Sequence, residues 1–143
     1  MGHRGSYWGV ENTAEAFING AKKGYHYLEC DVKVTGDGVH VLTHDDSSSR
    51  LGGSLTIASS TLAQLKAETY TQTRGGVTYT GQICTLSEYL AICKEYNVKP
   101  VIELKWATGI NSNEINVEGL NGLFIVAVTD ANGQNHVAKA IIR

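Results

Sequence analysis

The sequence predicts an α/β domain followed by a β-rich C-terminal tail. Three observations carry this reading. Apolar strands alternate with amphipathic helices over the first hundred residues. Two helices open on Thr-led capping boxes, at Thr61 with Gln64 and at Thr85 with Glu88. Asn132-Gly133 separates two β-rich runs near the end, the strongest short-range signal for a hairpin.

Asn12 reads as a helix N-cap with Glu15 three residues on, and Ala14, Phe17, Ile18 and Ala21 form its apolar stripe up to Gly24. Tyr25 to Val34 reads as a strand ending in the turn Thr35-Gly36-Asp37-Gly38, and Val39 to Thr43 as a second strand. Asp45 to Ser60 is a polar loop, Thr61 to Glu68 a short helix, and Tyr70 to Gly81 a Thr-rich irregular stretch. Leu86, Tyr89, Leu90 and Cys93 give an amphipathic helix that Asn97 can close. Val101 to Lys105 follows Pro100 as a third strand, and the alternation points to parallel architecture. Residues 107–116 read as a linker, and the tail pairs Leu123–Thr129 with His136–Ile142.

The chain has 143 residues, 42% hydrophobic and 18% charged, which suits one packed domain. A net charge of −2 excludes the basic footprint of a nucleic-acid binder or a polybasic membrane surface. No apolar run is long enough to span a bilayer, and no signal peptide is visible in MGHRGSYWGVENT. Cys30, Cys84 and Cys93 form no CxxC pair and read as small buried hydrophobes.

Four polar clusters carry chemistry. His3-Arg4-Gly5 puts a titrating imidazole beside a guanidinium that matches a phosphate. Glu29 and Asp31 are two apart on a strand, so both carboxylates face one side while Cys30 faces the other. Side by side on an apolar strand they call for a cation, and hard divalent ions are the usual answer. His44-Asp45-Asp46 begins the loop after the second strand, where a histidine is a candidate acid or base. Glu103 and Lys105 repeat the two-residue spacing on the third strand. Taken singly, each cluster also fits a solvated face, a loop or an exterior ion pair. Together they suit metal-assisted phosphodiester cleavage. His26, His40 and His136 are expected outside the site, Trp8 to pack, and Trp106 to pack or to line a pocket.

In order, His3-Arg4-Gly5, Glu11-Asn12-Thr13, Glu29-x-Asp31, Asp37-Gly38, His44-Asp45-Asp46 and Glu103-x-Lys105 resemble the glycerophosphodiester phosphodiesterase family. The resemblance implies a TIM (β/α) barrel that uses Ca²⁺ or Mg²⁺ to hydrolyse glycerophosphodiesters to glycerol 3-phosphate and an alcohol. It implies Glu29, Asp31 and Glu103 as metal ligands and His3 and His44 as the acid/base pair. Arg4, Asn12 and Lys105 would serve the phosphate, Asn12 also shaping the pocket while it caps its helix. Phospholipase-D-like toxins share this barrel and similar histidine and carboxylate positions, so the substrate stays open and a phospholipase-D-like activity on the same barrel is an alternative.

A whole barrel needs eight βα units and about 250 residues. Residues 1–106 therefore read as the N-terminal part of such a barrel only. Only Met1 and Gly2 precede His3, where a first strand would run. Residues 117–143 resemble the C-terminal sorting tails of type IX secretion cargo in Bacteroidota, which together with the family suggests a periplasmic, outer-membrane or secreted location. An open three-stranded sheet leaves unpaired edges, for which a homo-oligomer is one remedy. The rival expectation is an inactive truncated relative that binds a metal or phosphodiester, or an exported surface module.

Overall fold

The computed structural model describes residues 1–105 together with the strands Gly122–Thr129 and Asn135–Ile142. Trp106, the linker, the Asn132-Gly133 turn and the side chains of Lys105, His136 and the tail lie outside the described residues.

The helices start where side chains can cap them. Thr13 accepts from the Ala16 amide and opens α1 (Ala14–Lys22). The capping boxes Thr61/Gln64 and Thr85/Glu88 both form, and they open α2 (Leu62–Ala67) and α3 (Leu86–Glu95). The expected Asn12 cap is corrected. Asn12 has φ +57°, outside the extended conformation of an N-cap, and its side chain is committed elsewhere.

The strands are β1 (Tyr27–Val34), β2 (His40–Leu42), β3 (Tyr70–Arg74), β4 (Val77–Gly81), β5 (Cys84–Thr85), β6 (Lys99–Lys105), β7 (Gly122–Thr129) and β8 (Asn135–Ile142). Six of them form one sheet in the order β5-β2-β1-β6-β7-β8. The expectation of a parallel sheet is corrected to a mixed one. β1, β6 and β7 run parallel, whereas β2 returns antiparallel along β1, β5 pairs antiparallel with β2, and β8 pairs antiparallel with β7. The physical reason at β2 is the tight turn at Thr35–Gly38, with Gly38 at φ +82°, which is too short for a crossover. Tyr70 to Gly81, expected to be irregular, is the hairpin β3–β4, turning on Gly75 and Gly76 at φ +56° and +79°.

One edge of β1 is used twice. Gly2 bridges Leu28 in parallel along its first half, and β2 follows along its second half. The even side chains of β1, Leu28, Cys30 and Val32, are buried with Phe17, Tyr89 and Cys93 beneath α1 and α3. Tyr89 ties that core together. Its hydroxyl donates to the Leu28 carbonyl at 2.7 Å and accepts from the Val101 amide at 3.2 Å, joining β1 to β6. A second apolar cluster, including Val10, Val41, Leu65, Tyr70 and Ile83, anchors the β3–β4 hairpin and the polar loop. All three cysteines are buried free thiols, as expected.

Candidate functional site

The odd side chains of β1 point away from the helices, and there the acidic site forms. Glu29 and Asp31 share this face, and the parallel register sets Glu103 of β6 opposite Asp31. Carboxylate oxygens of Glu29, Asp31 and Glu103 all lie within 4.8 Å of one another. Glu29 is 6% exposed and Asp31 fully buried, so this is a pocket of buried like charge. Burial, reinforced by the charges of Asp31 and Glu103, pushes the Glu29 carboxyl up to about 7. Glu29 Oε1 is buried with no hydrogen-bond partner. Three hard oxygen donors with one lone-pair set unspent are what a divalent cation requires, so the residues fit one.

The N-terminal segment supplies the next layer. Backbone hydrogen bonds pair Gly2 with Tyr27 and Glu29, which carries His3 and Arg4 to the level of Glu29. The Arg4 amide donates to Glu29 Oε2 at 2.6 Å, and Arg4 Nε lies 3.2 Å from Asp31 Oδ2. Arg4 Nη1 donates to Glu11 at 3.0 Å. His3 is largely exposed, with Nε2 3.9 Å from Glu29 Oε2. Asn12 locks Asp31 from the side. Its Nδ2 donates to Asp31 Oδ2 at 2.9 Å, and its Oδ1 accepts from the Asp31 amide at 3.2 Å. Both Arg4 and Asn12 hold left-handed backbone, the conformation that turns the chain tightly around the pocket.

His44 arrives from the other end of the same edge. The Thr43 amide donates to the Asp31 carbonyl at 2.9 Å just past β2, so the antiparallel return sets His44 one residue beyond the level of Asp31. The sequence expectation placed His44 after a parallel strand, and the structure delivers it by a hairpin instead. Its Nδ1 lies 2.7 Å from Asp45 Oδ1. Lys105 closes β6, two residues beyond Glu103. His26 lies with Tyr25, Tyr27 and Lys99 in a cavity of about 380 Å³ where β1 and β6 begin, away from the carboxylates. Trp8 packs beside Tyr25 with the Lys23 ammonium 5.0 Å from its ring centroid.

Glu11, Asp45, Arg50 and Gln72 had no assigned role in the sequence. Glu11 is 5% exposed and surrounded by donors. Burial alone would raise its carboxyl, but hydrogen bonds from Arg50 and Gln72 and the charges of Arg50 and Arg4 outweigh it and bring the pKa down to about 2. Gln72 on β3 also accepts from the Glu11 amide, so the hairpin braces this corner. Nothing in local spacing connects residues 11, 50 and 72, and Arg50 in a polar loop carried no motif.

The chain belongs to the glycerophosphoryl diester phosphodiesterase family, whose model matches residues 2–141. That match continues through the stretch read above as linker and tail. Solved structures of similar fold include a phosphodiesterase from Oleispira antarctica in complex with the product sn-glycerol-3-phosphate, at 24% identity and TM-score 0.69 over 90% of this chain and 56% of that one. A glycerophosphodiester phosphodiesterase from Agrobacterium tumefaciens matches at 24% identity and TM-score 0.62, over 73% of this chain and 46% of that one. Another, from Parabacteroides distasonis, matches at 30% identity and TM-score 0.53, over 74% and 42%. The chain thus spans about half the length of these structures. No curated protein matches significantly.

Proposed function

We propose that the chain carries the metal and phosphate site of a glycerophosphodiester phosphodiesterase, on the first strands of a TIM-type barrel. The observation that carries this is the convergence of Glu29, Asp31 and Glu103 beside Arg4 in a member of that family. These three carboxylates would hold a divalent cation, Ca²⁺ or Mg²⁺. When bound, the cation supplies Lewis-acid polarisation of the phosphoryl oxygens and neutralises their charge.

The rest falls to side chains. Arg4, fixed between Glu11 and Asp31, offers positive charge at the rim of the pocket. Lys105 would add a second cation from the end of β6. In the hydrolysis a water oxygen bonds to phosphorus as the P–O bond to the alcohol breaks. One imidazole takes a proton from that water, and the other gives a proton to the leaving alcohol oxygen, so that one water is consumed. His3 and His44 are assigned these two roles. Asn12 keeps Asp31 oriented through its paired hydrogen bonds.

The test is release of glycerol 3-phosphate from glycerophosphocholine, with and without Ca²⁺ or Mg²⁺, by the wild type and by His3→Ala, His44→Ala and Glu29→Gln. Metal-dependent release lost in all three variants supports the proposal. A folded wild-type chain that binds metal without turnover would overturn it in favour of a non-catalytic binding module. The sorting role proposed for residues 117–143 is tested separately, by export of a reporter fused to them in a host with type IX secretion machinery.

A further inference from the structure

The His44–Asp45 contact is held from behind. Asp45 Oδ1 lies 2.7 Å from His44 Nδ1, and an ionised carboxylate only accepts. This contact therefore favours the hydrogen on Nδ1, which in the neutral ring leaves the lone pair on Nε2. Asp45 is ionised here. Burial alone would raise its pKa, but hydrogen bonds from His44 and Arg50 overcome that and lower it. Its second oxygen, Oδ2, accepts from Arg50 Nε at 2.5 Å. The same guanidinium grips Glu11 with its other edge, Nη1 to Oε2 at 3.0 Å and Nη2 to Oε1 at 2.6 Å.

The two ends of this chain differ in rigidity. His44 and Asp45 are each about one-third exposed, and an ion pair at that exposure is worth little by itself because water competes and rotamer freedom is lost. Glu11 is almost wholly buried and pinned by Arg4 and Gln72. Arg50 joins the rigid end to the loose one. A planar fork with three engaged nitrogens can do this, and an ammonium cannot.

We infer that Arg50 is a positioning residue that, clamped by Glu11, holds Asp45 on Nδ1 of His44 and thereby sets the tautomer and aim of that imidazole. This rests on the reading of His44 as an acid/base group. It adds a four-residue relay, Glu11–Arg50–Asp45–His44, across 39 positions of sequence. Nε2 is thereby the ring nitrogen presented to the phosphodiester.

The test has a spectroscopic arm that needs no turnover. Long-range ¹H–¹⁵N spectra of the full chain report the tautomer of the neutral His44 ring, assigned with His44→Gln. The wild type is expected to show Nδ1–H. Asp45→Asn, which leaves the Glu11–Arg50 pair intact, is expected to move the ring to Nε2–H. Arg50→Gln and Arg50→Lys are expected to give a mixture of tautomers. Because Arg50→Gln takes the two-pronged guanidinium from the buried Glu11 and leaves it Arg4 and Gln72, the double variant Glu11→Gln/Arg50→Gln is measured beside it as a folded control. In the kinetic arm, Arg50→Gln lowers kcat on glycerophosphocholine about 10- to 100-fold with KM little changed. A folded Arg50→Gln or double variant that keeps His44 wholly in the Nδ1–H form overturns the inference. Absence of turnover in the wild type overturns the proposed function, while the spectra still decide the role of Arg50.

Discussion

Replacing Glu29 by Gln should make the metal-free protein more stable at alkaline pH, although it removes a residue assigned to the active site. In the folded chain the Glu29 carboxyl titrates near 7, against an ordinary value of 4.5. A raised folded pKa means that the folded state holds the proton more tightly. Its stabilisation is complete below pH 4.5 and is lost as pH rises through 7. The shift corresponds to about 3 kcal/mol at most, lost by the wild type once Glu29 ionises against Asp31 and Glu103. Gln has no proton to lose, keeps an oxygen for the Arg4 amide, and offers an amide hydrogen to the remaining carboxylates. The assay is thermal and urea denaturation in chelator between pH 5 and pH 9. Near pH 5 the two proteins should be similar. At pH 9 Glu29→Gln should be more stable by about 1–3 kcal/mol, which for a chain of this size is roughly 3–10 °C in Tm. Ca²⁺ should close the gap by stabilising the wild type alone, by about 2.7 kcal/mol at a hundred times its Kd. Equal stability at pH 9, or an unchanged pH dependence in Glu29→Gln, would refute the account of buried like charge.

Other perturbations follow from the same geometry. Glu11 has the opposite sign, because its pKa is lowered to about 2, so its stabilisation is present above pH 4.5 and lost as pH falls toward 2. Acid denaturation should therefore be steep in the wild type and shallower in Glu11→Gln, the difference reaching about 3 kcal/mol. Asn12→Ala puts a residue less tolerant of left-handed backbone at φ +57° and removes both side-chain hydrogen bonds to Asp31, and should cost about 2–4 kcal/mol in urea denaturation. Asn12→Gly, which tolerates that backbone, should cost less and isolates the side-chain share. Tyr89→Phe removes the hydroxyl that bridges β1 and β6, and should cost about 1–3 kcal/mol by the same measurement.

The acidic pocket was legible because its logic is local. A two-residue spacing on an apolar strand puts Glu29 and Asp31 on one face whatever the rest of the chain does, and Glu103 needed only a parallel partner strand. The Thr61 and Thr85 capping boxes were legible for the same reason. Asn12 was misread because a good capping residue precedes a better one. Thr13 takes the cap, and the small polar side chain of Asn12, tolerant of left-handed backbone, is spent on Asp31. The β3–β4 hairpin was hidden by polar Thr-rich strands, although Gly75-Gly76 was a visible two-residue turn. The return of β2 along β1 and the pairing of Glu11 with Arg50 are tertiary facts, set by a turn and by burial across 39 residues.

The central claim is that Glu29, Asp31 and Glu103 hold one divalent cation. Calorimetric titration of the full chain with Ca²⁺, in two buffers of different ionisation enthalpy, tests it most directly. The account predicts one site per chain, absent in Asp31→Asn, with a proton released on binding near pH 6, where Glu29 is mostly protonated, and none at pH 9. No binding by the folded wild type, or binding that survives Asp31→Asn unchanged, would contradict it.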